Sequence, residues 1–203
     1  MTEKTVSPII GFDNNAYLEG VQHLGKLYQS ILYQQVLCIS YQSYKSNQAQ
    51  KVILHPYYLK QYNNRWFLLG WNAELEKITN LALDRIKQMV EEAETYRENT
   101  TDFEAYFDDI IGVTLTENAA VEKIILKFTA TAAPYVLSKP LHHSQKKISY
   151  IDGELVISIQ VIPNYELESL ILSFGERVEV LEPEYFKKGI INRISLALGI
   201  ISM

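Results

Sequence analysis

The sequence predicts an α+β protein of two domains, and three observations support this fold class. Short β-branched and aromatic runs separated by turn residues fill the first half of the chain. The polar segment TLTENAA, residues 114–120, is typical of a linker. Beyond it, strand and helix patterns alternate in the order βαββαβα. With 203 residues, 47% of them hydrophobic, the chain can bury a sizeable core.

The first domain is predicted over residues 16–117 and begins with a helix. Residues 1–15 form a polar, flexible lead that ends in the helix-capping run Asp13-Asn14-Asn15. An amphipathic helix from about Tyr17 to Gln34 follows, because four apolar residues recur there at helical spacing. These residues are Leu24, Leu27, Tyr28 and Ile31.

Five short strands with tight turns are predicted after this helix, and they indicate a small Sm-like or SH3-like β-barrel. Pro56 cannot donate a backbone hydrogen bond, so we expect it at a sheet edge or a strand junction. Asn63-Asn64 forms the turn of a hairpin. The predicted strands are Val36–Tyr41, Val52–His55, Tyr57–Tyr62, Arg65–Trp71 and Ile78–Asp84.

A short helix is predicted to end the first domain. Thr101 or Asp102 can cap it, and Gly112 suits its C-terminal stop. We expect the domain boundary near Glu117, so that the second domain covers residues 118–203. The apolar face of the short helix consists of Phe103, Tyr106, Phe107 and Ile110.

The second domain is predicted to be ferredoxin-like, since its elements follow the order βαββαβα. One helix covers about residues 130–138, a second is capped by Asn164, and Pro183 introduces the last. A turn at Asp152-Gly153 joins the two middle strands. The predicted strands are Val121–Phe128, Lys147–Tyr150, Glu154–Val161 and Arg177–Leu181.

Composition limits the partners that we expect. The net charge of −5 and the pI near 5.4 repel duplex DNA, so an anion would need a local basic patch. The one cysteine, Cys38, cannot form an internal disulfide and is predicted to be a buried apolar residue in a reducing compartment. No run is long enough for a signal peptide or a membrane span, so we expect a cytoplasmic protein without a membrane partner.

Two arginines are the candidates for anion binding. Strand alternation places Arg65 on the opposite face from Trp66 and Leu68, so Arg65 faces outward if those two residues are core. Arg85, from the next strand, could then lie beside it and bind phosphate or carboxylate. The alternative is that Arg85 pairs with a nearby acid to fix the barrel edge while Arg65 is simply solvated.

Five short motifs in the first half of the chain carry a family resemblance through their order and spacing. They are Phe12-Asp13-Asn14-Asn15, Tyr41, His55-Pro56, Arg65-Trp66-Phe67-Leu68 and Asp84-Arg85-Ile86. With these motifs the chain resembles the WYL domain, a ligand-sensing module of many bacterial transcription regulators, and the resemblance continues into the C-terminal extension that often follows this domain. The name-giving triplet stands here as Trp66, Phe67 and Leu68, so the hydroxyl of a middle tyrosine is missing.

The resemblance implies a barrel that binds a nucleotide-type or single-stranded nucleic acid effector, with no cofactor and no metal. For the tyrosine and the histidine among the candidates, a half-buried side chain satisfied by the backbone is an equally good interpretation. The candidate ligand-binding residues are Tyr41, His55, Arg65, Trp66 and Arg85.

Relatives usually carry a winged helix-turn-helix before the barrel, and duplex DNA would be bound only through such a domain. Eleven residues precede Phe12, which is too few to form it. We therefore expect either a piece of a longer regulator, which we favour, or a stand-alone sensor that acts on a partner. A homodimer is the expected assembly.

Two other functional classes are an oligomerisation module and an enzyme. The chain could be an oligomerisation or protein-interaction module without a small ligand, because Leu198, Ile200 and Ile201 are apolar residues at a chain end. Catalysis is not expected, since no phosphate loop, nucleophile elbow or Cys-His signature is present. The adjacent pairs His142-His143 and Asp108-Asp109 point to opposite faces, so neither predicts a metal or catalytic site.

Overall fold

The computed structural model describes residues 19–114 and 119–201, and it confirms the α+β class. The chain divides into two compact units, one up to Thr100 and one from Thr101. The sequence placed the boundary near Glu117. The short helix α2 (Phe103–Asp108) therefore groups with the second unit rather than the first.

The first unit is a five-stranded antiparallel sheet with strand order β4-β3-β2-β1-β5. The end strands β4 and β5 do not pair with each other within the described residues, so the sheet is not a closed barrel. Its strands are β1 (Val36–Tyr41), β2 (Gln50–Tyr62), β3 (Arg65–Asn72), β4 (Lys77–Ala82) and β5 (Ile86–Glu92).

The N-terminal helix is shorter than predicted. Helix α1 runs from Leu24 to Leu32 after a 3₁₀ turn at Val21–His23. Gly20 has φ 92°, and Gln34 has φ 54°, so both positions leave helical geometry. The helix therefore cannot extend over the predicted range, and the predicted cap at Asp13-Asn14-Asn15 lies outside the described residues.

Two strand predictions needed correction. The two strands predicted on either side of Pro56 are one strand, β2, because a bulge between Pro56 and Tyr58 accommodates the proline. The predicted strand Ile78–Asp84 ends at Ala82, and the residues after it form a 3₁₀ turn, Leu83–Arg85. Strand alternation therefore does not apply to Asp84 or Arg85. Strand β5 was not predicted, since its buried residues do not alternate.

The core of the first unit lies between α1 and one face of the sheet. Leu27 of α1 and the strand residues Leu37 and Leu68 are fully buried in one cluster. Leu83, in the 3₁₀ turn, is 1% exposed and belongs to the same cluster. Burying such a side chain contributes roughly 1.5–3 kcal/mol, so the turn is firmly attached to the core.

The second unit has the predicted element order. Its antiparallel strands have the order β7-β8-β6-β9, and its core packs the helices against the sheet. Asp102 caps α2 and Asn164 caps α4, as predicted. The strands are β6 (Glu122–Phe128), β7 (Lys146–Ile151), β8 (Glu154–Val161) and β9 (Val178–Glu182), and the remaining helices are α3 (Ala133–Ser138), α4 (Tyr165–Ser173) and α5 (Glu184–Ile201).

Gly20 generates a prediction about the turn that carries Asp84 and Arg85. A β-carbon at Gly20 would lie 2.4 Å from the carbonyl carbon of Leu83, at a φ that L-residues rarely adopt. We expect Gly20→Ala to lower the free energy of unfolding by about 2 kcal/mol or more. Both tryptophans of the chain, Trp66 and Trp71, lie in the first unit, so their fluorescence during urea unfolding measures this change.

Gly25→Ala is the matched control. Gly25 lies in α1, and a β-carbon there would have no atom within 4 Å. Alanine is the better helix former, so stability should stay unchanged or rise by up to about 1 kcal/mol. Equal stability of the two variants would contradict the proposed close packing at Gly20.

Candidate anion-binding site

Arg65 is held by the hairpin between β2 and β3. Asn63 and Asn64 have φ values of 45° and 57°, the left-handed geometry of a tight hairpin turn. Arg65 is therefore the first residue of β3, and it pairs with Tyr62 across the hairpin. Its side chain is 42% exposed.

Asp84 and Arg85 lie in the 3₁₀ turn between β4 and β5. The buried side chain of Leu83 fixes the start of this turn. The backbone N–H of Gln42 donates a hydrogen bond of 3.0 Å to the carbonyl of Arg85, which ties the end of the turn to β1. The two charged side chains thus project from a short segment that is anchored at both ends.

Four side chains meet at this edge of the sheet. Arg65 Nε lies 3.5 Å from Asp84 Oδ1. The hydroxyl of Tyr44, in the loop after β1, donates to Asp84 Oδ2 at 3.0 Å. The guanidinium carbon of Arg85 lies 4.3 Å from the centre of the Tyr44 ring, within the range of a cation–π contact. We call Tyr44, Arg65, Asp84 and Arg85 the arginine rim.

The structure reverses the alternative interpretation of the sequence, in which Arg85 pairs with an acid and Arg65 is solvated. Arg65 is the residue that pairs with the acid, Asp84. Within the described residues, Arg85 makes no ion pair, and its Nε is buried without a hydrogen-bond partner. A buried donor without an acceptor costs about 1–3 kcal/mol. Two cations around one carboxylate leave the rim with an excess positive charge.

Two of the predicted site residues have contacts inside the first unit. Trp66 and Tyr41 both pack against the core of the first unit. Trp66 is thus on the opposite face of β3 from Arg65, as strand alternation predicts. The Tyr41 hydroxyl accepts a hydrogen bond of 3.3 Å from the backbone N–H of Ala82, immediately before the 3₁₀ turn.

His55 belongs to a separate cluster. Its Nδ1 accepts a hydrogen bond of 3.0 Å from the backbone N–H of Arg97, and the guanidinium of Arg97 lies 3.7 Å from the Trp71 ring centre. The Tyr57 hydroxyl donates to the carbonyl of Arg97 at 2.8 Å, and the Tyr96 hydroxyl donates to the carbonyl of Pro56 at 2.6 Å. These contacts attach Tyr96 and Arg97, in the segment after β5, to strands β2 and β3.

The protonation states in this cluster follow from burial. Burial lowers the pKa of His55 below 6.5, with Glu94 opposing the shift and Arg97 adding to it. Burial raises the pKa of Tyr57, and it raises the pKa of Tyr96 to about 12. At neutral pH the imidazole is therefore a neutral acceptor and both phenols remain donors. This matches the direction of their hydrogen bonds.

The face of the hairpin that carries Arg65 also carries aromatic side chains. Tyr62 stands opposite Arg65, and Phe67 stands opposite Lys60, so cross-strand pairs place an aromatic beside a cation twice. Tyr58, two residues before Lys60 on the same strand, is 39% exposed. Burial lowers the pKa of Lys60.

Residues 19–114 and 119–201 contain no group of three or more His, Cys, Asp or Glu side chains placed to hold a metal ion. No helix among the same residues is long and apolar enough to cross a membrane.

Comparison with protein families gives two matches. The profile of the WYL domain matches residues 22–91, and the profile of the WCX domain matches residues 120–198. Each match falls within one of the two compact units. The chain therefore contains a WYL domain followed by a WCX domain. No curated protein matches it significantly.

Two solved structures are similar to this WYL-domain protein. A crystal structure of a CRISPR Cas-related protein aligns with 91% of this chain and 52% of its own, at a TM-score of 0.52 and 12% identity. Proteasome accessory factor B/C of Arthrobacter aurescens aligns with 91% of this chain and 28% of its own, at a TM-score of 0.39 and 18% identity. The chain thus spans about half of the first aligned protein and less than a third of the second, and the first of the two supports the fold alone.

The WYL domain contributes the whole arginine rim. The position of Phe67, where the family name has tyrosine, points to the same face as Arg65. Sequence reasoning missed Tyr44, which lies in a polar loop without any periodic pattern. It also missed the cluster around Arg97, because that cluster depends on contacts between residues about forty positions apart.

The lowered pKa of His55 generates a prediction about pH dependence. Protonation favours the unfolded state, in which the imidazole titrates near 6.5, so the stabilising contribution is complete above that pH. It is lost as the pH falls through the lower pKa of the folded state. We expect the tryptophan-reported free energy of unfolding to fall less in His55→Asn than in wild type between about pH 7.5 and about pH 5.

Asparagine retains an acceptor near the position of Nδ1, so His55→Asn preserves the hydrogen bond from Arg97 while removing the titration. His142→Asn is the control, because burial also lowers the pKa of His142 but this residue lies in the second unit. If the free energy of unfolding falls equally with pH in wild type and His55→Asn, His55 does not cause the pH dependence of stability.

Proposed function

We propose that this chain is the effector-sensing regulatory part of a bacterial, cytoplasmic transcriptional regulator. Its effector is a nucleotide-type or single-stranded nucleic acid ligand, which binds at the arginine rim. Duplex DNA is contacted through a helix-turn-helix domain that is attached to the chain or supplied by a partner. The proposal includes no catalytic role, no cofactor and no metal.

The observation that carries the proposal is the arrangement of Arg65 and Arg85 around Asp84 and Tyr44. Arg85 has a buried Nε without a partner among the described residues, and Arg65 keeps part of its guanidinium exposed. Phosphate oxygens are suitable acceptors for both, because an arginine fork can donate two parallel hydrogen bonds. An anion here would therefore accept hydrogen bonds from the guanidinium groups of both arginines.

The aromatic neighbours favour a nucleotide over a simple anion. Tyr62 and Phe67 share the face of Arg65, and base stacking on such rings contributes about 1–3 kcal/mol per base. Stacking is tolerant of base identity, so the proposal does not require a particular sequence. Tyr41, His55 and Trp66 were also predicted to bind the ligand, and in this proposal their contacts within the first unit give them the role of supporting the rim.

Sensing requires that the ligand prefer one of two conformations. The hairpin of β2 and β3 is a suitable moving part, since it carries Arg65 next to its turn, whereas the 3₁₀ turn at Leu83–Arg85 is held in the core by Leu83. The fold that we propose is Sm-like for the first unit and ferredoxin-like for the second. The strand order β7-β8-β6-β9 supports the second assignment.

Arg85→Ala tests the proposed site. We expect it to weaken binding of labelled short oligothymidylate by about tenfold or more, because a charge-assisted hydrogen bond contributes about 1.5–3 kcal/mol. Fluorescence anisotropy at several salt concentrations measures the effect. Loss of one phosphate contact should also reduce the slope of log affinity against log salt by about 0.7.

Lys123→Ala is the matched control. It also removes one positive charge, but Lys123 is exposed on β6 in the second unit. Its affinity and salt slope should equal those of wild type. If Arg85→Ala and wild type bind the oligonucleotide, thymidine monophosphate and cyclic nucleotides equally, the rim is not the binding site.

An oligomerisation module is the second candidate function, and helix α5 favours it. Phe186, Ile190, Ile194 and Leu198 recur every fourth residue and form one stripe. The first two are 4% and 7% exposed, whereas the last two are 46% and 60% exposed. The exposed fraction of the stripe thus rises towards the end of the helix, and an exposed apolar stripe suits a homodimer contact.

Sedimentation velocity tests this candidate. If Ile194 and Leu198 lie in a dimer contact, Ile194→Glu and Leu198→Glu should shift a dimeric wild type towards monomer, because a charge would be buried at the contact. Ser195→Glu, at an exposed neighbouring position, should leave the mass unchanged. An unchanged mass in all three variants, or a monomeric wild type, would remove the candidate.

A further inference from the structure

Asp84 stands out because it is a nearly buried carboxylate with few good contacts. Its side chain is 9% exposed. Oδ2 accepts one hydrogen bond, from Tyr44. Oδ1 is buried without a hydrogen-bond partner among the described residues, and its nearest cation, Arg65 Nε, is 3.5 Å away. A carboxylate whose role was to fix this edge would be expected to form a closer, two-point pair with the guanidinium.

The same carboxylate occupies the place where a ligand anion would act. It contacts Arg65 directly, and it contacts Arg85 indirectly through the ring of Tyr44. A phosphate bound to both arginines would therefore lie close to Asp84. The two negative charges repel each other, so the phosphate must displace Asp84 or bind against its field.

We propose that Asp84 is an internal competitor for the anion site, with Tyr44 as the residue that holds it there. The proposal rests on the proposed function, since it concerns the same arginine rim. In the unliganded protein Asp84 partly neutralises Arg65. A ligand with two negative charges on one phosphate, or with adjacent phosphates, can replace it, whereas a single carboxylate offers no advantage over Asp84. Asp84 thus sets specificity for phosphate-rich ligands.

Tyr44 has two separable functions in this scheme. Its hydroxyl holds Asp84, and its ring supports the guanidinium of Arg85. Tyr44→Phe removes the first function and keeps the second, while Tyr44→Leu removes both. The residue is 74% exposed, so neither substitution creates a cavity in the core. The two variants therefore separate release of the competitor from loss of the stacking contact.

The test compares Asp84→Asn with wild type by titration calorimetry. The probes are inorganic phosphate, thymidine monophosphate and acetate. We expect Asp84→Asn to bind the two phosphate probes about five- to twentyfold more tightly at low salt, because one competing negative charge is removed. The gain should shrink as salt screens the charges. Preference for phosphate over acetate should decrease in the variant.

Glu74→Gln is the charge-matched control. Glu74 is exposed in the turn between β3 and β4, at the opposite end of that hairpin from the rim. Glu74→Gln removes the same charge as Asp84→Asn, and the affinities of this variant for the three probes should equal those of wild type. Tryptophan fluorescence during unfolding establishes that each variant is folded. Tyr44→Phe provides a second test that keeps the carboxylate, with an expected gain of about two- to fivefold, and Tyr44→Leu should bind more weakly than Tyr44→Phe.

The outcomes distinguish this proposal from the proposed function. If wild type binds phosphate and neither Asp84→Asn nor Tyr44→Phe binds it more tightly, Asp84 is a positioning residue and the competitor proposal fails alone. If neither wild type nor any variant binds either phosphate probe, the anion site fails and the competitor proposal fails with it. Tighter binding by Glu74→Gln to the same extent would show a general charge effect and overturn the assignment to Asp84.

Discussion

The burial of Leu83 is the constraint on which the candidate site depends. Its side chain lies in the core of the WYL domain, so the two residues that follow it must leave the core in a tight 3₁₀ turn. Asp84 and Arg85 therefore meet Arg65 and Tyr44 from a fixed direction. Three further contacts hold the turn: the close approach of Gly20, the hydrogen bond between Gln42 and Arg85, and the Tyr41 hydroxyl at Ala82. A rigid attachment of this kind suits a site that must place charges accurately.

The electrostatics of the rim are unusual for a structural ion pair. A pair that only stabilises a fold satisfies its donors and acceptors, because unsatisfied buried groups are costly. Here the contact between Arg65 Nε and Asp84 Oδ1 is long, at 3.5 Å, and the buried Nε of Arg85 has no acceptor within the described residues. The local excess of positive charge also contrasts with the net charge of −5 of the whole chain. This incomplete pairing is more consistent with binding than with stability alone.

The sequence predicted the second domain better than the first, for a physical reason. Caps such as Asn164 mark where its helices begin, and the irregularities in its strand pairing do not divide a strand, so local patterns suffice. In the first domain, the bulge at Pro56 and the 3₁₀ turn before Ile86 break the period on which strand assignment depends. The face of Arg65 was still predictable from alternation within β3. The role of Tyr44 was not, because a loop residue is positioned by tertiary contacts.

Strands β2 and β3 connect the rim to the segment that leaves the WYL domain. Arg65 and Tyr62 lie at one end of this strand pair, and His55 and Trp71 lie at the other, about 20 Å away for six residues of extended chain. At that far end, Arg97 and Tyr96 are fastened by hydrogen bonds and a cation–π contact. Because a paired hairpin is stiff, a ligand that repositions Arg65 can strain those contacts without unfolding either strand. We therefore expect a ligand at the rim to act on the contacts that attach Tyr96 and Arg97 to the sheet.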